Sequence, residues 1–135
     1  MNELVLDAKV ENLDKVLAFV DSFLSETNCS PKAQMQIDVA VEELFVNIAN
    51  YAYAPGVGLA TIRMDISNDP GQVAITFVDS GVPYNPLAKA DPDVTLSAAE
   101  RQIGGLGIFM VKKSMDHMEY AFKDGQNILT IWKKL

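Results

Sequence analysis

Apolar side chains recur at helical spacing between Ser30 and Tyr53, where Ile37, Ala40, Val41, Leu44, Ile48, Tyr51 and Ala52 fall on one face. Ser30 suits the N-cap and Pro31 the first helical position, and Ala54-Pro55-Gly56 ends the helix. An earlier helix is predicted from Leu13, Val16, Leu17, Val20 and Leu24, with Asn12 as its cap. Leu4, Leu6 and Ala8 alternate with polar residues, as on an edge strand. Leu59 to Ser67 alternates too, with Ala60, Ile62, Met64 and Ile66 on one face. The turn Asp69-Pro70-Gly71 then leads into a hairpin partner that carries Val73, Ile75 and Phe77 and ends in Asp79. Asn85 to Gln102 is polar and interrupted by Pro86 and Pro92, and connections of that length in compact domains are lids or binding loops. Ser97-Ala98-Ala99-Glu100 has the spacing of a capping box within it. Leu106 to Met115 is predicted as a helix. Met118, Tyr120 and Phe122 then alternate, and an Asp124-Gly125 hairpin turn leads into Ile128 to Trp132. The order β-α-α-β-β-lid-α-β-β predicts an α/β (α+β) two-layer sandwich, a mixed and mostly antiparallel sheet with helices on one face.

Composition narrows the class. A chain of 135 residues is expected to form one domain, 1–135, with a real core, and 49 % apolar residues exclude a disordered protein. No apolar run approaches the roughly 20 residues that span a bilayer, and no signal peptide is visible. Cys29 is the only cysteine, which excludes an internal disulfide or a cysteine zinc cluster, and a cytoplasmic location is the default expectation. Eleven basic against eighteen acidic side chains leave a net charge of -7, which argues against a general nucleic-acid or anionic-membrane binder.

Three stretches carry candidate chemistry. Glu43 and Asn47 are four apart and stack on one helix face. At about 100° per residue they lie roughly 120° and 80° from the middle of the apolar stripe, on its shoulder, where a cleft would open. Asp79 ends an apolar strand beside Ser80 and Gly81, and a partly buried carboxylate there needs a donor such as the exocyclic amine of adenine. Gly104, Gly105, Leu106 and Gly107 open a helix, whose free N–H groups and dipole suit phosphate. The P-loop pattern is absent and the dinucleotide fingerprint incomplete. Each stretch alone has a bland explanation: a solvated shoulder, a turn-starting Asp, a glycine hinge. Together, in this order, they are far more specific.

Glu43-x-x-x-Asn47, Asp79-Ser80-Gly81-Val82-Pro83 and Gly104-Gly105-Leu106-Gly107 resemble the three motif boxes of the gyrase, heat-shock-chaperone, histidine-kinase and mismatch-repair ATPase superfamily. The chain is most similar to its bacterial anti-sigma factors that are also serine/threonine-protein kinases. That resemblance implies a Bergerat-type histidine kinase-like ATPase domain with a lid over about 85–103, and ATP and Mg²⁺ as cofactors. It implies Asn47 as metal ligand, Asp79 as acceptor from the adenine amine, and Gly81 as the place where the base approaches the backbone. Gly104, Gly105, Leu106 and Gly107 would cradle the phosphates, and Glu43 would be the general base. Arg101 would steady the terminal phosphate, and Thr130 would support Asp79 through a water. The implied partners are a sigma factor and an anti-sigma factor antagonist of the STAS type, whose serine receives the γ-phosphate; a homodimer is implied as well. The alternative is a non-catalytic ATP-binding regulatory module whose partner is not a sigma factor. Pro83, Asn85 and Tyr51 depart from residues common in relatives and are expected to lie outside the core machinery. His117, the only histidine, is read as structural.

Overall fold

The computed structural model describes residues 2–67, 71–88 and 105–135. Its centre is helix α2, Pro31–Asn47, which starts where Ser30 accepts a hydrogen bond from Ala33 N at 3.1 Å, with Pro31 in the first turn. α2 buries Ile37, Ala40, Val41, Leu44 and Phe45. Helix α1, Leu13–Leu24, packs on one side of it and helix α3, Gly105–Ser114, on the other. The expected cap of α1 is different: Asn12 makes no capping bond and instead donates from Nδ2 to Asp7 O at 2.8 Å, after a short 3-10 turn.

The strands are β1 (Asn2–Asp7), β2 (Leu59–Ser67), β3 (Gln72–Asp79), β4 (His117–Lys123) and β5 (Gln126–Lys134), in sheet order β1-β2-β3-β5-β4. β1 is the expected edge, β2 and β3 the expected hairpin, and all four pairings are antiparallel rather than mixed. Asp124 and Gly125 both have positive φ, 54° and 76°, as the tight β4–β5 turn requires.

Alternation decides which face the helices cover. Ala60, Ile62 and Met64 of β2, Val73, Ile75 and Phe77 of β3, and Leu129 and Ile131 of β5 join the helix side chains in one core. Each fully buried apolar side chain contributes roughly 1.5–3 kcal/mol. Thr61, Thr76 and Thr130 point to the other face, because a strand alternates sides residue by residue. Register then fixes the site: Ile75 pairs with Ile131, Phe77 with Leu129 and Asp79 with Asn127. The apolar row of the two central strands thus ends in a buried polar pair. Among the described residues no helix is long and apolar enough to cross a membrane.

A cleft between the central helix and the ends of the central strands

The predicted helix from Ser30 to Tyr53 is regular only to Asn47; Ile48–Ala52 forms a π-helical turn. The wider i→i+5 turn shifts the phase of the apolar stripe, so the segment buries no residue completely and Tyr51 is 58 % exposed. This segment forms one wall of a cleft of about 550 Å³. Asn47, Ile48, Tyr51 and Ala52 line that side, Phe77, Asp79, Asn127 and Leu129 the sheet side, and Val82, Pro83 and Tyr84 the rim. Tyr51 and Pro83, expected to lie outside the machinery, are in its wall.

Asp79 and Asn127 are each 7 % exposed, the only polar residues among the buried ones described. Asp79 Oδ1 accepts from Asn127 Nδ2 and from Gly81 N, both at 2.9 Å. Asn127 Nδ2 also donates to Val82 O at 2.9 Å, while its Oδ1 accepts from Tyr84 N at 3.1 Å and from the Tyr120 hydroxyl. An amide has two donor hydrogens and two acceptor lone pairs, so Asn127 is fully used in orienting Asp79 and the 82–84 backbone. Asp79 Oδ2 takes no bond among the described residues, which leaves one carboxylate oxygen for a donor in the cleft.

Two further contacts hold the turn after β3. Val82 N donates to Ala52 O at 2.9 Å, and a Cβ on Gly81 would overlap that same carbonyl. The glycine is therefore required by protein backbone packed against it, and Gly81 is not part of the cleft wall. The Tyr53 hydroxyl accepts from Ser80 N at 2.7 Å and donates to Leu59 O at 2.6 Å, tying the turn to the start of β2.

Glu43 stands one helical turn before Asn47 and outside the cleft wall. Its carboxylate lies against Gly107 in the first turn of α3, where a Cβ would overlap it. Burial, and then the charge of Glu42, raises its pKa above the usual glutamate value.

The structure thus brings together Asn47 with Asp79, and Glu43 with Gly107. Gly105 and Leu106 are the first residues of α3. Thr130 does not reach Asp79: it faces the helix-free side and shares a hydrogen bond of 3.1 Å with Thr76. Asn127 supports Asp79 instead, directly rather than through water. The signal for it was an Asn in phase with Leu129 and Ile131, a polar residue in a core-facing register. Arg101 and Gly104, the capping box at 97–100, most of the proposed lid, and Asp69-Pro70 lie outside the described residues. His117 is exposed on the helix-free face, bonded to Glu119 at 3.0 Å and tilted against Trp132.

The cleft at the ends of the central strands thus offers a ligand a buried carboxylate from the sheet and an amide from the facing helix. The chain belongs to the histidine kinase-like ATPase domain family, whose sequence pattern matches residues 6–133. It is 26 % identical over 102 residues to serine/threonine-protein kinase BtrW of Bordetella bronchiseptica, covering 76 % of this chain and 71 % of that one. It is 25 % identical over 129 residues to anti-sigma F factor of Caldanaerobacter subterraneus, covering 96 % and 89 %. The solved structure of the RsbU and RsbW domains of a Mycobacterium tuberculosis protein superposes with a TM-score of 0.68 at 17 % identity, over all of this chain and 33 % of that one. That last likeness is one of fold.

Proposed function

We propose that this chain is an ATP-dependent anti-sigma regulator and a serine kinase. It transfers the γ-phosphate of ATP to a serine of a STAS-type anti-sigma factor antagonist and sequesters a sigma factor, acting as a homodimer in the cytoplasm. The observation that carries the reading is the Asp79–Asn127 pair at the floor of the cleft, opposite Asn47. The names of the relatives, an anti-sigma F factor and a serine/threonine-protein kinase, support the same function.

The residues present fit Mg-ATP. Asn47 offers one amide oxygen, and Mg²⁺ takes oxygen ligands while keeping waters, so the phosphates complete such a site. Mg²⁺ bound with ATP would neutralise charge on the phosphoryl group. Asp79 accepts from the adenine amine, held for it by Asn127 and Gly81 N. The first turn of α3, with Gly104 before it, offers N–H groups to the phosphates, and Arg101 steadies the terminal one. Glu43 accepts the proton of the serine hydroxyl; its raised pKa suits a base that must also release that proton. Phosphoryl transfer is mostly positioning and electrostatics, so this set is sufficient.

Asp79→Asn tests the reading by calorimetry with Mg-ATP. A hydrogen bond to a charged group is worth about 1.5–3 kcal/mol, so affinity should fall roughly tenfold or more. Unchanged affinity would overturn the adenine role, and a wild-type chain that binds no adenine nucleotide would overturn the whole reading. Binding without transfer to any protein would leave the non-catalytic regulatory module.

A further inference from the structure

Gly107 is glycine where backbone torsion does not require it. Among the described residues the glycine with positive φ is Gly125, and Gly107 lies inside α3. Alanine is much the better helix former at such a position. What occupies the space of a side chain there is Glu43: a Cβ at 107 would overlap both oxygens and the carbon of its carboxyl group, so the carboxylate, the far end of a flexible side chain, would have to move. Both backbones are anchored, so it is the carboxylate that would give way. Leu44 and Phe45 anchor α2 beside Glu43, and Ile108 and Val111 anchor α3 beside Gly107, all of them buried.

We propose that Gly107 is a positioning residue for Glu43: the missing side chain seats the carboxylate on the first turn of α3, in fixed register with the phosphate-binding turn. The proposal rests on the kinase reading above. In that reaction the serine oxygen bonds to the γ-phosphorus as the bond from that phosphorus to the β,γ-bridging oxygen breaks. ADP leaves with the electron pair, and Glu43 takes the hydroxyl proton. A base displaced by about 1 Å can cost roughly a hundredfold in rate while nucleotide binding is untouched. Gly107 then matters for transfer more than for affinity, which is not what a plain phosphate cradle predicts.

The test is a double-mutant cycle on the full chain, read first by chemical denaturation. Gly107→Ala should change the unfolding midpoint little in the presence of Glu43, because the displaced carboxylate offsets the gain in helix preference. In the Glu43→Ala background the same change should raise the midpoint more, because nothing is displaced and only the helix preference remains. Equal shifts in both backgrounds would overturn the contact. The second readout compares wild type, Gly107→Ala and Gly107→Ser. Phosphorylation of a purified antagonist domain that the wild-type chain phosphorylates should fall at least about tenfold more than the affinity for Mg-ATP does. Loss of affinity with unchanged turnover would make Gly107 a phosphate contact and overturn the positioning role. A wild-type chain that binds no Mg-ATP, or that binds it and phosphorylates no antagonist domain, sinks the kinase reading and the transfer role with it. The difference between the two stability shifts still reports separately on the contact.

Discussion

Replacing Asn127 by alanine removes the side chain that joins β5, Asp79 and the 82–84 segment. It deletes donors to Asp79 Oδ1 and Val82 O and the acceptor for Tyr84 N and the Tyr120 hydroxyl. A neutral hydrogen bond is worth about 1 kcal/mol net and one to a charged group about 1.5–3 kcal/mol, which sums to roughly 5 kcal/mol. Water entering from the cleft replaces part of this at the Tyr84 and Tyr120 ends, which leaves a cost of about 3 kcal/mol. For a chain of this size that is roughly 10 °C in Tm. Thr130→Ala is the internal control, because it deletes one hydroxyl–hydroxyl bond on the opposite face, worth about 1 kcal/mol. Both variants are followed by thermal and urea unfolding and by calorimetry with Mg-ATP. Asn127→Ala should lose stability and nucleotide affinity together, and Thr130→Ala should keep its affinity. Equal costs for the two, or weaker binding in Thr130→Ala alone, would refute the assignment of Asn127 as the support of Asp79.

The other predictions follow from burial and packing. Glu43→Gln should bind Mg-ATP and lose phosphoryl transfer; retained transfer would refute the base assignment. Because the folded pKa of Glu43 is raised, its ionisation opposes folding above the unfolded value of 4.5. The Gln variant should therefore be the more stable at pH 8 and lose that advantage below pH about 4.5. Asp38 is pushed up to about 7 by burial, then by its hydrogen bond to Asp21 and that residue's charge, and its Oδ1 is buried without a partner. Wild type should thus lose stability as the pH rises through about 7. Asp38→Asn should flatten that slope in urea midpoints between pH 5 and 9, and an unchanged slope would refute it. Gly81→Ala forces a Cβ onto the Ala52 carbonyl and should cost about 2 kcal/mol in urea unfolding, as overpacking does; a neutral result would show that the π-helical turn yields.

Helix α2 was legible because three local signals agree on its start: Ser30, Pro31 and the apolar period. The strands were legible because each buries one face, so alternation is strict. The π-helical turn was not, since the spacing of Ile48, Tyr51 and Ala52 fits a continuing α-helix and only tertiary packing against Gly81 and Val82 tells them apart. The same packing explains Gly81, whose need for space comes from a segment 29 residues away in sequence. Asn12 looked like a cap because its residue type is right, but Asp7 O is the partner it finds. Asn127 was not legible as the support of Asp79 for want of strand register. Once β3 pairs with β5, Asp79 faces Asn127 and Thr130 belongs to the other side of the sheet.

The most direct measurement is a pull-down from native lysate with the tagged chain and its Glu43→Gln variant as baits, each in Mg-ATP and in Mg-ADP, with partners identified by mass spectrometry. The account predicts a sigma factor on both baits in Mg-ATP, and an antagonist domain that carries a new phosphoserine only with the wild-type chain. Nucleotide binding with neither partner, or a phosphoserine that persists with the Glu43→Gln bait, would contradict it.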